Sequence, residues 1–176
     1  MILERGDLQF FFQPTVQAAD ALDVPLGVQS LFAILSPERG PHRRMRIGKK
    51  RLPENPRDRF WARIERVGSL ERVLGEKLED EIYATKTRGE RFQPGARPVA
   101  RGTYEFKQHD DHVHFIYDVE PFAFEDAPDE LHVPSHGDHR VLVKGGKKTW
   151  TQAKVLDGID ERGFQLVLVG RCKVDA

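Results

Sequence analysis

Short apolar runs separated by turn-forming residues constrain this chain more than any other feature of its sequence. The runs are rich in β-branched and aromatic residues, and glycine, proline or polar turn formers interrupt them at intervals of about ten residues. Segments of this kind are typical of strands in antiparallel sheets and barrels. They lie at residues 8–13, 28–35, 59–67, 102–107, 112–119, 139–144 and 163–169, and alternation of basic and apolar residues predicts a further strand over 43–51. The sequence therefore predicts one β-rich domain over residues 1–176, either a curled antiparallel sheet or a small β-barrel.

One stretch has a helical period instead. Leucine and valine recur three and four residues apart after Ser69, which is a suitable N-cap. Gly75 weakens the helix by about 1 kcal/mol relative to alanine. The pattern predicts a single helix over residues 70–80, packed against the sheet near residues 69–80. Its apolar face would consist of Leu70, Val73, Leu74 and Leu78.

Composition indicates an ordinary globular protein. Hydrophobic residues make up 39% of the chain and charged residues 32%, a balance that excludes a disordered protein. No apolar run approaches the roughly 20 residues needed to cross a bilayer, and no apolar segment follows a basic N-terminus. The single cysteine, Cys172, fits a reducing compartment. We therefore expect a cytoplasmic protein with no membrane partner.

The charges are unevenly distributed although their sum is zero. Residues 38–66 hold eleven Lys or Arg against four Asp or Glu, so 11 − 4 gives +7. Residues 105–138 hold one Lys against ten Asp or Glu, so 1 − 10 gives −9. Such asymmetry indicates either opposed electrostatic faces or two segments that pair with each other.

A dense group of cations follows residue 84 on a segment rich in turn formers. Five Lys or Arg residues lie between positions 85 and 101, and Glu90 is the only acidic residue in that segment. Guanidinium groups and backbone N–H groups that point at one place can hold phosphate or carboxylate. The alternative is a surface loop whose arginines pair with the segment 105–138. The predicted anion-binding residues are Thr85, Lys86, Thr87, Arg88, Arg91, Arg97 and Arg101.

The segment 43–51 combines a basic face and an apolar face, because basic residues and glycine alternate with Met45 and Ile47. Two aromatic residues, Phe60 and Trp61, follow closely. A site for single-stranded nucleic acid needs cations, which contact the phosphate backbone, and aromatic rings, on which the bases stack. The alternative is that both aromatic residues belong to the core. The predicted nucleic-acid-binding residues are Arg44, Arg46, Lys49, Lys50 and Trp61.

Six of the seven histidines lie between positions 109 and 139. His112 and His114 project from the same face of a strand, a spacing that lets two imidazoles reach one divalent metal ion, the only cofactor that the sequence suggests. This pair is similar to the metal motif of cupins, but the downstream glycine and histidine spacing of that family does not follow. The alternative is a solvent-facing hairpin with polar histidines. The candidates for a third ligand are Asp118, His132, His136, Asp138 and His139.

Five short segments together resemble a family of uncharacterised bacterial hypothetical proteins. They are Arg59-Phe-Trp61, Thr85-Lys-Thr-Arg-Gly89, Ala96-Arg-Pro98, Gly102-Thr-Tyr104 and His109-Asp-Asp-His-Val-His114. The resemblance covers most of the chain from Gly6 onward. No activity is assigned to that family, so the resemblance implies neither a catalyst nor a ligand.

Three functions are consistent with these patterns. The first is a non-catalytic binding module that holds a nucleic-acid backbone or a phosphorylated small molecule through the basic strand and loop. The second is a metal-dependent enzyme of the small-barrel type that uses His112 and His114 as ligands. The third is a protein–protein adaptor with opposed basic and acidic surfaces. The oligomeric state does not follow from the sequence.

Overall fold

The computed structural model describes residues 1–18, 27–87, 89–122, 131–144, 150–152 and 156–171. Arg88 and Cys172 lie outside these ranges. The strands are β1 (Ile2–Pro14), β2 (Gln17–Ala18), β3 (Val28–Pro37), β4 (His42–Ile47), β5 (Arg59–Gly68), β6 (Glu81–Thr85), β7 (Gly89–Gln93), β8 (Arg97–His109), β9 (His112–Pro121), β10 (His136–Lys144), β11 (Trp150–Gln152) and β12 (Gln165–Arg171). A helix, α1, spans Leu70–Leu74 and continues into a 3-10 turn at Gly75–Lys77.

Eight of these strands form a closed antiparallel barrel, as the spacing of the apolar runs predicts. The order around the barrel is β10-β12-β5-β4-β3-β1-β8-β9, and pairing of β9 with β10 closes it. β11 pairs with the end of β10 that extends past β9. A separate three-stranded sheet contains β2, β7 and β6. The prediction of a small β-barrel is therefore confirmed.

Inward-pointing and outward-pointing residues alternate along the strands, so that apolar side chains fill the barrel. In β9, for example, Val113, Phe115, Tyr117 and Val119 are buried while the residues between them are not. Because successive side chains of a strand point to opposite faces, every second residue enters the lumen. Aromatic rings pack there, with the Phe106 and Phe115 centroids 5.1 Å apart. The lumen is thus a packed core, and ligand sites have to be sought on the outside of the wall.

The helix is shorter than the sequence predicts. Ser69 caps it as expected, since its hydroxyl accepts a hydrogen bond from the Arg72 N–H at 3.2 Å. The helix nevertheless ends at Leu74, where Gly75 begins the 3-10 turn, and Leu70 and Leu78 are exposed. Val73 is the one residue of α1 that is fully buried. A glycine in the middle of the pattern and an incomplete apolar face do not sustain further α-helical turns.

The strand predicted over residues 43–51 also ends early, at Ile47. Gly48 begins a connection to β5 that folds back across one end of the barrel. Leu52 in this connection is completely buried, and Arg51 forms an isolated bridge with His132. Leu52 and the bridge therefore anchor the connection on the barrel, while Lys49, Lys50 and Arg51 stay exposed. None of the helices in the described part of the chain is long and apolar enough to cross a membrane.

The strands β4 and β9, one from each oppositely charged segment, lie far apart around the barrel, but the segments touch where His132 meets Arg51 and Glu54. The segment 38–66 forms β4 and β5, whereas β9 lies within the acidic segment 105–138. β9 is the fourth strand from β4 in either direction around the eight-stranded barrel, so these two strands are on opposite sides. In the described residues, carboxylates outside the segment 105–138 pair with the basic segment's Arg43, Arg44, Arg46 and Arg51.

Candidate functional site

A basic groove of about 440 Å³ lies on the outer wall where β4 turns toward β5. Four cationic residues and one tryptophan line it, and no acidic residue does so in the described part of the chain. Gln29 and Ser30 of β3 add polar side chains. We call this site the basic groove; its lining residues are Gln29, Ser30, Arg46, Ile47, Gly48, Lys49, Lys50, Arg51 and Trp61.

The half-buried Trp61 indole lies on the outer wall because its neighbours on β5, Phe60 and Ala62, are buried. Gly48 lies close to it and donates its backbone N–H to the Trp61 carbonyl at 2.6 Å. A Cβ atom at position 48 would lie 2.8 Å from that carbonyl oxygen and 3.1 Å from Cε3 of the indole. Glycine is therefore required here, and its missing side chain leaves part of the indole uncovered.

Two cations of the groove, Arg46 and Arg51, are exposed and pair with carboxylates at 3.5 Å or more. Arg46 is 49% exposed and 3.7 Å from Glu65, whose other oxygen accepts a bond from buried Arg44 at 2.9 Å. Arg51 is 3.5 Å from Asp58 and lies over the Phe60 ring at 4.9 Å. Lys49 and Lys50 are exposed on the turn. Exposed ion pairs at such distances are weak, so a phosphate can compete for the two arginines.

Asp58 belongs to the turn rather than to the groove. Its carboxylate accepts the backbone N–H groups of Asn55 and Glu54, each at 3.2 Å. These bonds, with a smaller contribution from Arg51, lower the pKa of Asp58 below its ordinary value. The aspartate therefore shapes the connection between β4 and β5 that carries the lysines.

The structure places Arg44 inside the protein and not in the lining of the basic groove. A register shift between Arg44 and Met45 in the pairing of β4 with β5 makes two consecutive arginines buried. Arg44 bonds Glu65 and donates to the Val73 carbonyl of α1 at 3.1 Å, so it anchors the helix on the barrel. Arg43 enters the other face of the strand.

Arg43 forms a buried polar network at one end of the barrel. Its guanidinium donates to both carboxylate oxygens of Glu4, at 2.6 and 2.7 Å, and to Asp160 at 2.6 Å. Burial disfavours its charge, but the bonds to Glu4 and Asp160 outweigh burial and raise the pKa of Arg43. The Tyr104 hydroxyl also donates to Glu4 at 2.8 Å, and burial together with this carboxylate raises the pKa of Tyr104. Every charge here has a partner, which indicates a structural role.

The predicted anion-binding residues divide between two sheets. Thr85 and Arg91 belong to the β6–β7 hairpin, and Lys86 and Thr87 to its turn, where the Thr85 hydroxyl donates to the Gly89 carbonyl at 3.1 Å. Arg97 and Arg101 belong to β8 in the barrel wall. Arg101 lines a different groove, of about 870 Å³, together with Asp7, Asp118 and Glu120. The segment 85–101 therefore supplies cations to separate places rather than to one.

The two histidines predicted to bind metal are neighbours on the outer face of β9. The ring centroids of His112 and His114 are 4.8 Å apart. The Nδ1 atom of His112 lies 3.2 Å from Asp111, and that of His114 lies 2.7 Å from Asp138. No group of three or more His, Cys, Asp or Glu side chains among the described residues is placed to hold a metal ion. Metal binding stays a prediction for this pair.

Most of the candidates for a third ligand lie elsewhere. His136 and Asp118 bond each other at 2.7 Å across β9 and β10. His132 pairs with Glu54, and buried His139 bonds the Val169 carbonyl. Asp138 lies beside the predicted pair, because its carboxylate is hydrogen-bonded to the ring of His114.

Sequence reasoning missed three of the polar side chains that line the basic groove. Arg51 belongs to the same basic run as Lys49 and Lys50, so that run contained the signal. Gln29 and Ser30 come from β3, and they reach the groove only because β3 pairs with β4. Comparisons with protein-family models, with curated proteins and with solved structures find no match to this chain, so the functional argument rests on the geometry of the groove.

Proposed function

We propose that this protein is a non-catalytic module that binds single-stranded nucleic acid through the basic groove. The observation that carries the proposal is that Arg46, Lys49, Lys50 and Arg51 line one open groove with Trp61, and that no acidic residue lines it in the part of the chain described. Cations that neutralise phosphates supply most of the affinity, and an aromatic face supplies a platform for a base.

Each residue type has a distinct task in this proposal. Lys49 and Lys50 act as flexible point charges, while the planar guanidinium of Arg46 can hold a phosphate through two bonds. Trp61 stacks a base, which contributes about 1–3 kcal/mol independently of base identity. Because Arg51 lies over the Phe60 ring, its guanidinium is held at the edge of the groove.

A salt series on the fluorescence of Trp61 tests the proposal. The chain has two tryptophans, so Trp150→Phe leaves Trp61 as the only reporter. A single-stranded oligonucleotide of about twelve nucleotides should quench this signal as bases stack on the ring. With four cations engaged, log K should fall with log salt with a slope of about −3. Absence of binding even at low salt would overturn the proposal.

Two variants separate charge from stacking. Lys49→Gln with Lys50→Gln should reduce the magnitude of the salt slope by about 1.4, because two phosphate contacts are lost. Trp61→Leu, followed by the fluorescence anisotropy of a labelled oligonucleotide because the tryptophan signal is removed, should lower affinity by about 1–3 kcal/mol and leave the slope unchanged. Lys107→Gln, which removes an exposed lysine of β8 outside the groove, is the matched control and should change neither quantity. Equal binding of inorganic phosphate or a mononucleotide would instead favour a phosphorylated small molecule.

Self-association is the second candidate function, and the opposite placement of β4 and β9 favours it. The basic groove of one molecule would then meet the acidic segment of another. Salt screens such contacts, so the apparent mass in size-exclusion chromatography should be larger at low salt than at high salt. A constant monomeric mass would leave nucleic acid as the ligand.

A further inference from the structure

A polar pocket of about 280 Å³ adjoins the basic groove. The two share Gln29, Ser30 and Arg46, so Arg46 lies on the boundary between them. Most of the remaining lining comes from the end of β1 and from the segment between α1 and β7. Those residues are Gln13, Lys77, Glu79, Glu81 and Gln93.

Gln13 has a buried hydrogen-bond acceptor without a partner. The residue is only 6% exposed, and its Nε2 donates to the Pro94 carbonyl at 2.6 Å. A carbonyl oxygen can only accept, so this bond fixes which end of the amide faces the backbone. The other end, Oε1, has no hydrogen-bond partner among the described residues. Buried acceptors of this kind are rare in native proteins unless a ligand or water completes them.

Gln93, Glu79 and Glu81 bring further acceptor oxygens to the pocket, whereas Lys77 and Arg46 bring cationic donors. Nε2 of Gln93 donates to the carbonyls of Pro14 and Pro94, at 2.8 and 3.1 Å, which turns its amide nitrogen toward the backbone. The exposed carboxylates of Glu79 and Glu81 add four acceptor oxygens. The unpartnered Gln13 oxygen therefore suits a group that donates a hydrogen bond, while Arg46 at the boundary suits an anion.

We propose that this pocket receives one base of the bound strand and prefers a base with an exocyclic amino group. The inference rests on the proposed function: a phosphate at Arg46 would join a base stacked on Trp61 to a base in the pocket. An amino group such as cytosine N4 donates to carboxylate and amide oxygens. The C4 carbonyl of uracil in the same position would face Oε1 of Gln13 and leave that buried acceptor without a donor. Single-stranded nucleic acid is read through such base edges.

A comparison of oligo(dC) with oligo(dU) of equal length tests this preference. The two have the same backbone and ring size and differ in the group at C4 and in the protonation of N3. The Trp150→Phe protein should bind oligo(dC) about five-fold tighter or more, the discrimination expected of a good base contact. Equal affinity would overturn the base preference and leave the proposed function intact. Failure of both to bind would overturn the proposed function itself.

Variants then assign the preference to the pocket. Gln13→Met removes the acceptor and should abolish the preference by weakening oligo(dC) binding alone. Because Gln13 is buried, Glu79→Gln with Glu81→Gln provides an exposed alternative. That pair should reduce the preference while both oligonucleotides bind more tightly, since two negative charges are removed. Glu90→Gln, near the β6–β7 turn, is the control and should keep the preference. An unchanged preference in both pocket variants would contradict the inference.

Discussion

Arg43 and Arg44 are neighbours in sequence and serve different parts of the molecule. Arg43 closes one end of the barrel through Glu4 and Asp160, and Arg44 fixes α1 through Glu65 and the Val73 carbonyl. Neither is available to an external ligand, because both are buried. The exposed cations that remain on this segment are the ones that line the basic groove.

The burial of each partner should decide the effect of removing it from the Arg43 network. The Glu4 side chain is 16% exposed and that of Asp160 is 54% exposed. Glu4→Gln should lower the free energy of unfolding by about 3–5 kcal/mol, because it leaves the guanidinium without its main partner. Asp160→Asn should lower it by about 1 kcal/mol or less. Urea denaturation measures both, and equal losses would contradict this ranking.

His139 should make the barrel less stable at acid pH. Burial disfavours the imidazolium and lowers the pKa of His139 below its ordinary value of 6.5, with His136 acting in the same direction and Asp138 and the Val169 carbonyl opposing it. The unfolded chain therefore takes up the proton first as the pH falls. The contribution of neutral His139 to the free energy of unfolding is fully present above about pH 6.5. It is lost as the pH falls toward the pKa that His139 has in the folded protein.

Urea denaturation between about pH 5 and 7 tests the role of His139. His139→Gln should flatten the pH dependence of the unfolding free energy by about 1 kcal/mol. The exposed His109→Gln is the control and should leave the dependence as it is. Equal slopes in the wild-type protein and His139→Gln would assign the acid sensitivity to other groups.

At the scale of elements, the short helix α1 is the place where local preference and packing disagree. The leucine spacing favours a longer helix, but Gly75 and the exposed Leu70 and Leu78 weaken it. The strands show the opposite case. Alternation of buried and exposed residues agrees with their position in the barrel wall, as in β5 and β9.

Gly75→Ala should stabilise the protein by about 0.4–1 kcal/mol. Gly75 has helical angles, φ −50° and ψ −53°, and a Cβ there would meet nothing closer than the Glu71 side chain at 3.7 Å. Alanine reduces the freedom of the unfolded chain without strain in the folded one. Gly102→Ala is the contrasting variant, because its Cβ would lie 2.0 Å from the Asp118 carbonyl oxygen. Thermal unfolding should show opposite shifts for the two.

At the scale of the whole molecule, closure of the barrel places β4 and β9 on opposite sides and fixes the groove. The connection from β4 to β5 carries the groove lysines and is anchored by Leu52 within the core. The Gly170 N–H also bonds the Asp58 carbonyl at 2.7 Å, which ties the connection to β12. The groove thus has a rigid base, which reduces the loss of conformational freedom on binding.

Leu52→Ala should affect both stability and binding. A cavity at this fully buried position should lower the free energy of unfolding by about 2–5 kcal/mol. The lysines of the loosened connection should then bind the oligonucleotide more weakly, at a temperature where the variant is still folded. Leu70→Ala, at an exposed position of α1, should change neither. Normal affinity in folded Leu52→Ala would show that the anchor does not support the groove.

The sequence by itself determined the β-rich class, the Ser69 cap and the grouping of Arg46, Lys49, Lys50 and Trp61, because each depends on residues close together in the chain. Period-two alternation decides which side chains face inward, but it does not decide which strands are neighbours. Only the tertiary structure decided that β1 pairs with β8 and β5 with β12. The same long-range pairing divided the segment 85–101 between two sheets and brought Gln13, Gln29 and Ser30 beside Arg46.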